Sequence, residues 1–398
     1  LHGWQAGPGY WAVLSHAGTK EVLRDPARFS SHLGGTQLRD PARPEDLHFV
    51  RQMMLNQDPP AHTRVRGLLS KAFVPRAIAA IEDEISGRAA ELVAAVADRG
   101  HCDLVRDVVS DLPVAVLAEV LGMPDQDRGL LYDWANRVIG YQDPDYAGSD
   151  SFDPEHGTEM ARAALALRPR PDDGGAPPDP RTREGLADLY AYAHSLARYR
   201  RENPGNDIVS LLLEAEYEGT VLSDEEFETL FFLFAVAGNE TLRNAIPGAV
   251  LTLVENPDQY ELLLSNPELL PGAVEEALRY WPPVIHFRRT ATRDTELAGQ
   301  AITAGDKVVV YHIAANRDPA VFDDPHRFDI TRTDNDHLSF GFGPHFCIGS
   351  HLARQQMRSM LSELNTRLGR LELAAEPVRL QSNFQQGLKS LPVRWRVG

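Results

Sequence analysis

The sequence predicts a mainly α-helical protein with small β-sheets attached to the helical body. Residues 223–255 read as one long helix. Residues 78–98 carry Ile78, Ile81, Ile85, Ala89, Leu92 and Val96 at three- and four-residue spacing, one apolar face of a second helix. The short runs 295–312 and 372–397 read as strands with turns at Gly299 and Gly305. A length of 398 residues would allow two or three domains. No linker composition divides the chain, and a single domain over 1–398 is expected.

Composition narrows the class. Hydrophobic residues make up 43% and charged residues 24%, as in a soluble globular protein. The net charge of −17 argues against nucleic acid and against an anionic membrane surface as partners. The longest apolar run, Leu230–Ala237, is far short of the roughly 20 residues that span a bilayer, so no membrane anchor is expected. Leu1-His-Gly-Trp4 has neither the charged nor the apolar region of a signal peptide; its first residue is not Met, which leaves room for residues upstream. Two cysteines and no signal suit a reducing, cytoplasmic setting.

Taken in order, Tyr10–Leu14 is a candidate strand and Lys20–Asp25 a short helix before Pro26. Residues 31–57 read as loop with short helices. Pro59 and Pro60 stop one element, and a helix starts near His62. His62 and Arg66 are four apart and share a face, where two cations could grip an anion. Cys102 reads as a small buried hydrophobe. Residues 112–140 read as a further helical stretch. Residues 165–185, rich in Pro and Gly, cannot be a helix interior. They read as a mobile lid loop and not as a domain linker, because 186–201 is helical again.

The central helix begins with a capping box, Ser223-Asp-Glu-Glu226, and at about 30 residues would be roughly 45 Å long. It is apolar on nearly every side from Phe227 to Ala237, as a buried helix is. Inside it, Ala237-Gly-Asn-Glu-Thr241 places a glycine, an acid and a hydroxyl where packing gains nothing from them. Such violations point to function. Gly238 leaves room for a small ligand, Thr241 can hydrogen-bond it, and Glu240 can pass protons through water. The bland alternative has Thr241 bonded back to a helix carbonyl and Glu240 at the surface. Pro247-Gly248 should kink the helix.

Glu276 and Arg279, three apart on a helix that ends at Trp281-Pro-Pro283, can pair on one face. Near the C-terminus stands Phe340-Gly-Phe-Gly343-Pro-His345-Phe-Cys347-Ile-Gly349, with a helix after it. The glycines let backbone N–H groups approach the sulfur, and the helix points its positive end at it. A thiolate so held is a nucleophile or a metal ligand. No Asp or Asn is placed to orient His345, which weighs against the nucleophile.

The spacing Phe340-x-x-Gly343-x-x-x-Cys347-x-Gly349 resembles the haem-binding loop of cytochromes P450. The segments around His62, Glu240-Thr241, Glu276-x-x-Arg279 and Arg289-x-Ala-Thr-x-Asp294 follow in that family's order, over residues 58–354. The resemblance implies the P450 fold, with haem b (iron protoporphyrin IX) between the long central helix and the Cys-loop helix. Cys347 would ligate the iron in a loop shaped by Phe340, Gly343 and Gly349. His62, Arg66, Arg289 (or Arg288) and His345 would hold the propionates, and Gly238, Glu240 and Thr241 would serve oxygen activation. Glu276 and Arg279 would form a structural triad with Arg327, bracing the loop that leads to the Cys. His326 stands where the family often has Glu.

The implied activity is that of a haem-thiolate monooxygenase, inserting one oxygen atom from O2 into a non-polar small molecule. A secondary metabolite, a steroid or a lipid-like compound would suit a pocket of Val236, Ala237, Val284, Ile285, Phe287 and Phe384. A haem-binding sensor or carrier without turnover is the alternative. Electrons would come from NAD(P)H through ferredoxin reductase and ferredoxin. The ferredoxin would dock on the Cys side, with Arg64, Lys71, Arg76, Arg354 and Arg358 as candidate contacts. A monomer is expected.

Overall fold

In the computed structural model, which describes residues 2–4, 7–41, 43–70, 81–170, 179–180, 182–205, 207–217 and 219–397, the central helix runs from Asp224 to Glu255. Its capping box is made: the Ser223 Oγ accepts from the Glu226 N–H at 3.2 Å, and Glu226 Oε2 accepts from the Ser223 N–H at 3.0 Å. Acidic residues crowd this first turn, where the helix dipole favours them. Each has a separate partner: Asp224 takes Arg201, Glu225 takes Gln52 at 2.6 Å, Glu226 takes Arg64, and Glu228 takes Arg183.

The chain divides into two compact units, both discontinuous in sequence. One comprises Leu1–Phe29, Pro75–Pro113 and Thr241–Gly398, the other Ser30–Val74 and Val114–Glu240. The division falls inside the central helix, between Glu240 and Thr241. Residues 165–185 fall in the second unit. Of that stretch, 171–178 and 181 lie outside the described residues, as do Lys71, Arg76 and Ile78.

In the first unit, strand Gly7–Val13 runs parallel to Lys307–Tyr311, which pairs antiparallel with His286–Ala291. Val308 opposes Arg289 and Val310 opposes Phe287, so these four share one face of the sheet. Val308, Val310 and Ala291 are buried in a cluster with Val22, Leu23 and Phe29, and Phe287 packs against it. Val22 and Leu23 come from helix His16–Arg24. The helix Glu82–Ala94 packs along Ser350–Arg367, with the Ser86 and Ser359 hydroxyls 3.0 Å apart. Cys102 lies on a short strand, buried, and burial first of all pushes its thiol up to about 12, as expected of an inert cysteine.

In the second unit, Trp134, Tyr192 and Phe231 form an aromatic cluster under the start of the central helix, with ring centroids 5.4–6.1 Å apart. The helical stretch expected over 112–140 is two helices, Asp111–Val120 and Gly129–Ile139. Gly122, at φ 63°, and Pro124 separate them.

Pro247 does not interrupt the central helix, and it is buried. Its neighbour Gly248 has the clearer role. A Cβ there would lie 2.2 Å from Trp281 Cδ1, so only glycine lets the indole rest on the helix.

The Glu276–Arg279 pair, on helix Leu270–Tyr280, is fully buried and bidentate, with both N···O distances 2.8 Å. The remaining donors of Arg279 reach the carbonyls of Asn316, Pro325 and Arg327 at 2.8–3.0 Å. Glu276 also accepts from Arg332 Nε at 3.2 Å, Asn335 Nδ2 at 3.1 Å and the Asp329 N–H at 2.9 Å. Arg327 is therefore not the third side chain of the triad. It is exposed and offers only its backbone carbonyl, while Arg332, five residues on, brings the guanidinium. Replacing Arg332 by Ala should cost about 1.5–3 kcal/mol, the loss of a hydrogen bond to a charged group. Arg327→Ala should fall within about 0.5 kcal/mol of wild type. Urea unfolding of the two variants checks this, and the reverse ranking would refute it.

Two buried histidines in the first unit give stability a pH dependence. Burial lowers His286 and His312 from 6.5 to about 4; the nearby Arg289 adds to the effect on His312. Both rings stay neutral in the folded protein between those values, whereas the unfolded chain takes up protons from pH 6.5 downward. The stability they confer is thus complete above pH 6.5 and lost progressively as pH falls to about 4. The double variant H286Q/H312Q should show a shallower fall in unfolding free energy over that window.

Candidate active site

The Cys347 loop is built on backbone contacts. The Cys347 N–H donates to the Phe340 carbonyl at 2.9 Å, closing the loop on itself. Gly343 sits at φ 71°, and a Cβ on it would be 2.8 Å from the Leu23 carbonyl, so the loop lies directly on helix His16–Arg24. A side chain at Gly349 would point toward the sulfur, its Cβ 4.0 Å from Sγ. Gly349 is the N-cap residue of helix Ser350–Arg367, whose 18 residues align their dipole behind the thiol. Cys347 itself is exposed. The loop fixes the backbone that carries the sulfur.

Phe340, His345, Gly343 and Gly349 all lie in this loop, as expected. The Phe340 ring sits beneath the Arg354 guanidinium, 4.4 Å from Cζ to centroid. His345 ends a single 3-10 turn at Gly343–His345 and is half-buried. Phe342 lies between two cations, Lys20 Nζ at 4.9 Å and Arg24 Cζ at 5.2 Å. Arg289 is buried to 3% exposure, and its Nη1 donates to the Arg288 carbonyl at 2.8 Å. Alternation along the strand puts Arg289, and not Arg288, on the side of Phe287. Arg288 instead reaches Thr290 Oγ1 at 3.3 Å on the opposite face.

Four expected pocket residues meet in the same unit. Val284 bridges Gln385, the Ile285 N–H donates to the Phe384 carbonyl at 2.9 Å, and the Phe287 and Phe384 rings are 5.6 Å apart. Val236 and Ala237 belong to the second unit. There the central helix is buried at Val236, Asn239 and Glu240 but exposed at Ala237 and half-exposed at Gly238. Thr241, one turn on from Ala237, is also half-exposed. Ala237, Gly238 and Thr241 are thus the less buried positions of this stretch of the helix. At Gly238 a Cβ would come within 3.1 Å of Leu117, a tight fit that glycine avoids. Glu240 is fully buried, which removes the reading that put it at the surface. Asn239 reaches across to the Leu131 carbonyl at 3.3 Å. His62 and Arg66 share helix Ala61–Ser70, His62 at 2% exposure and Arg66 half-buried.

The expected docking cations are largely committed elsewhere. Arg64 is ion-paired with Glu226, Arg354 with Glu275, and Arg358 donates to Gln355 at 2.7 Å. Sequence spacing missed Arg332, Asn335, Glu275 and His337. Their signals were present but mute: a second glutamate beside Glu276, and polar residues in a stretch with no regular structure.

The sequence profile described as Cytochrome P450 matches residues 189–368. Steroid C26-monooxygenase of Mycobacterium tuberculosis is 36% identical over 394 residues, covering 98% of this chain and 82% of that protein. Methyl-branched lipid omega-hydroxylase of the same organism is 38% identical over 401 residues, covering 99% and 86%. Among solved structures, a Mycobacterium marinum cytochrome P450 in complex with pseudoionone superposes with a TM-score of 0.84 at 34% identity, covering 99% of this chain and 89% of its own. Among the described residues, no helix is long and apolar enough to cross a membrane. With relatives this similar over nearly the whole of this chain, it belongs to the cytochrome P450 family of haem-thiolate monooxygenases.

Proposed function

We propose that this enzyme hydroxylates the end of a branched, apolar carbon chain, in a steroid, lipid or terpenoid-like molecule. The observation that carries the reading is the apolar set Val284, Ile285, Phe287 and Phe384, gathered at the start of strand His286–Ala291 with Arg289 on the face of Phe287. The relatives' names support it, since a steroid's C26 and the omega carbon of a methyl-branched lipid both end an apolar branched chain.

The donor set fits haem b. A thiol heads a long helix, and His62, Arg66, Arg289 and His345 are the hydrogen-bond donors we assign to the two propionates. Bound haem supplies the redox chemistry in which O2, two electrons and two protons convert a C–H bond to C–OH and release water. Cys347 would ligate the iron through its thiolate. Thr241 would donate its hydroxyl to the oxygen side, and the buried Glu240 would hold and pass protons. Gly238 and Ala237 keep the helix narrow where the small molecules must fit. The electrons would come from NAD(P)H through ferredoxin reductase and ferredoxin, with the enzyme cytoplasmic and monomeric.

Three measurements test this. The reduced, CO-bound wild type should show the thiolate-type Soret band, and Cys347→Ser should lack it. Glu240→Gln should keep the band while kcat drops about 10²-fold, the lower end of what general acid–base catalysis contributes. In a spin-state titration, a steroid with an intact side chain and a methyl-branched fatty acid should displace the resting spectrum. A response confined to aromatic polyketides would overturn the substrate reading.

A further inference from the structure

Next to the fully buried Glu276 stands a second carboxylate with a different set of partners. Glu275 Oε1 accepts from Arg354 Nε at 2.6 Å and Oε2 from Arg354 Nη2 at 2.8 Å, a two-pronged fork. Its Oε2 also lies 3.1 Å from His337 Nε2. The contacts continue toward the sulfur. The Arg354 guanidinium, held flat by the fork, lies over the Phe340 ring at 4.4 Å. The His337 ring flanks the same phenyl group at 5.9 Å. The Phe340 carbonyl is the acceptor for the Cys347 N–H.

Two other attachments of residues 337–340 bind a different part of the run, and on the loop itself the Phe346 ring lies 6.3 Å from that of Phe340. The Ser339 Oγ donates to the Leu278 carbonyl at 2.7 Å, and the Leu338 N–H donates to Asn316 Oδ1 at 2.7 Å. They hold the backbone before Phe340 but do not touch its ring. Glu276, for its part, bonds to residues 279, 329, 332 and 335 and to none from 337 onward.

We propose that Glu275 is a positioning residue for the Cys347 thiolate, acting through Arg354 and the Phe340 platform that holds the cysteine's own N–H. The inference rests on Cys347 being the haem ligand. Contact between the carboxylate and the sulfur is not required. Glu275 fixes the guanidinium, the guanidinium fixes the ring, and the ring's residue fixes the peptide that carries the thiolate. The arrangement persists into acid. Although burial disfavours its charge, the bonds from Arg354 and His337 prevail and hold the Glu275 carboxyl down at about 2.

Holoenzyme variants E275Q and E275D, with Leu196→Ala as a control, test the inference. Leu196 is fully buried in helix Ala187–Glu202, in the second unit, so its truncation destabilises the protein without touching the loop. The readout is the rate at which the reduced, CO-bound thiolate band converts to the thiol-type band, measured beside the thermal midpoint. E275Q should speed the conversion at least about tenfold, the usual scale for losing a group that orients a metal ligand, with E275D recovering part of it. L196A should lower the midpoint and leave the conversion rate within about twofold. Equal acceleration in E275Q and L196A would reduce Glu275 to a stability role and overturn the proposal. A wild type without the thiolate band would fail the haem assignment itself, and the proposal with it.

Discussion

The buried fork between Glu276 and Arg279 is the contact on which the Cys347 loop depends. From Asn316 to Gly349 the chain has only one short 3-10 turn as regular structure. A connection of that length inside a compact unit is unusual and needs another source of order. Here the order is polar. Arg279 gathers three backbone carbonyls, and Glu276 gathers one backbone N–H and two side chains from the same stretch. Two charges without solvent are costly on their own. They are tolerated because the donors and acceptors around them are answered by peptide groups that would otherwise need partners of their own. The ion pair and the irregular chain each remove the other's penalty.

The central helix shows a different compromise. Its first turn is acidic and its middle apolar, and the motif in its core spends helix propensity and packing on Gly238, Glu240 and Thr241. Residues at 237, 238 and 241 share one side, and it is the side that stays accessible while 236, 239 and 240 are buried. A mid-helix glycine normally weakens a helix by about 1 kcal/mol. The cost is acceptable in a helix of 32 residues whose two ends are anchored independently, by ion pairs at one end and by the Trp281–Gly248 contact near the other.

Much of this was legible in the sequence where the governing contact is local. The capping box, the Cys loop, the presence of a helix after it and the inert Cys102 follow from neighbours within a few positions. Glu276 and Arg279 follow because three residues is one helical turn. The third partner did not. Arg327 and Arg332 are both arginines in one irregular stretch, and no period tells which side chain turns inward. The break between Val120 and Gly129 was written in Gly122 and Pro124, but the apolar run on both sides outweighed it. Arg64 and Arg354 looked like free surface cations because their carboxylates, Glu226 and Glu275, lie 162 and 79 residues away. A net charge of −17 makes such capture the rule, since nearly every arginine has an acid to find.

The consecutive glutamates illustrate how one helix turn can serve two ends. Successive residues on a helix point about 100° apart. Glu276 therefore faces the interior, where Arg279 completes a rigid and fully enclosed fork. Glu275 faces the helix that follows the cysteine and is partly wet, its side chain 31% exposed. An enclosed pair cannot be adjusted without losing the fold, because either partner alone would be a buried, unanswered charge. A partly solvated pair can be altered at smaller cost, since water takes over part of what the partner gave. With the role proposed for Glu275, stability and the setting of the thiolate fall to adjacent residues, and a change in Glu275 would move the sulfur's environment while Glu276 keeps the loop folded.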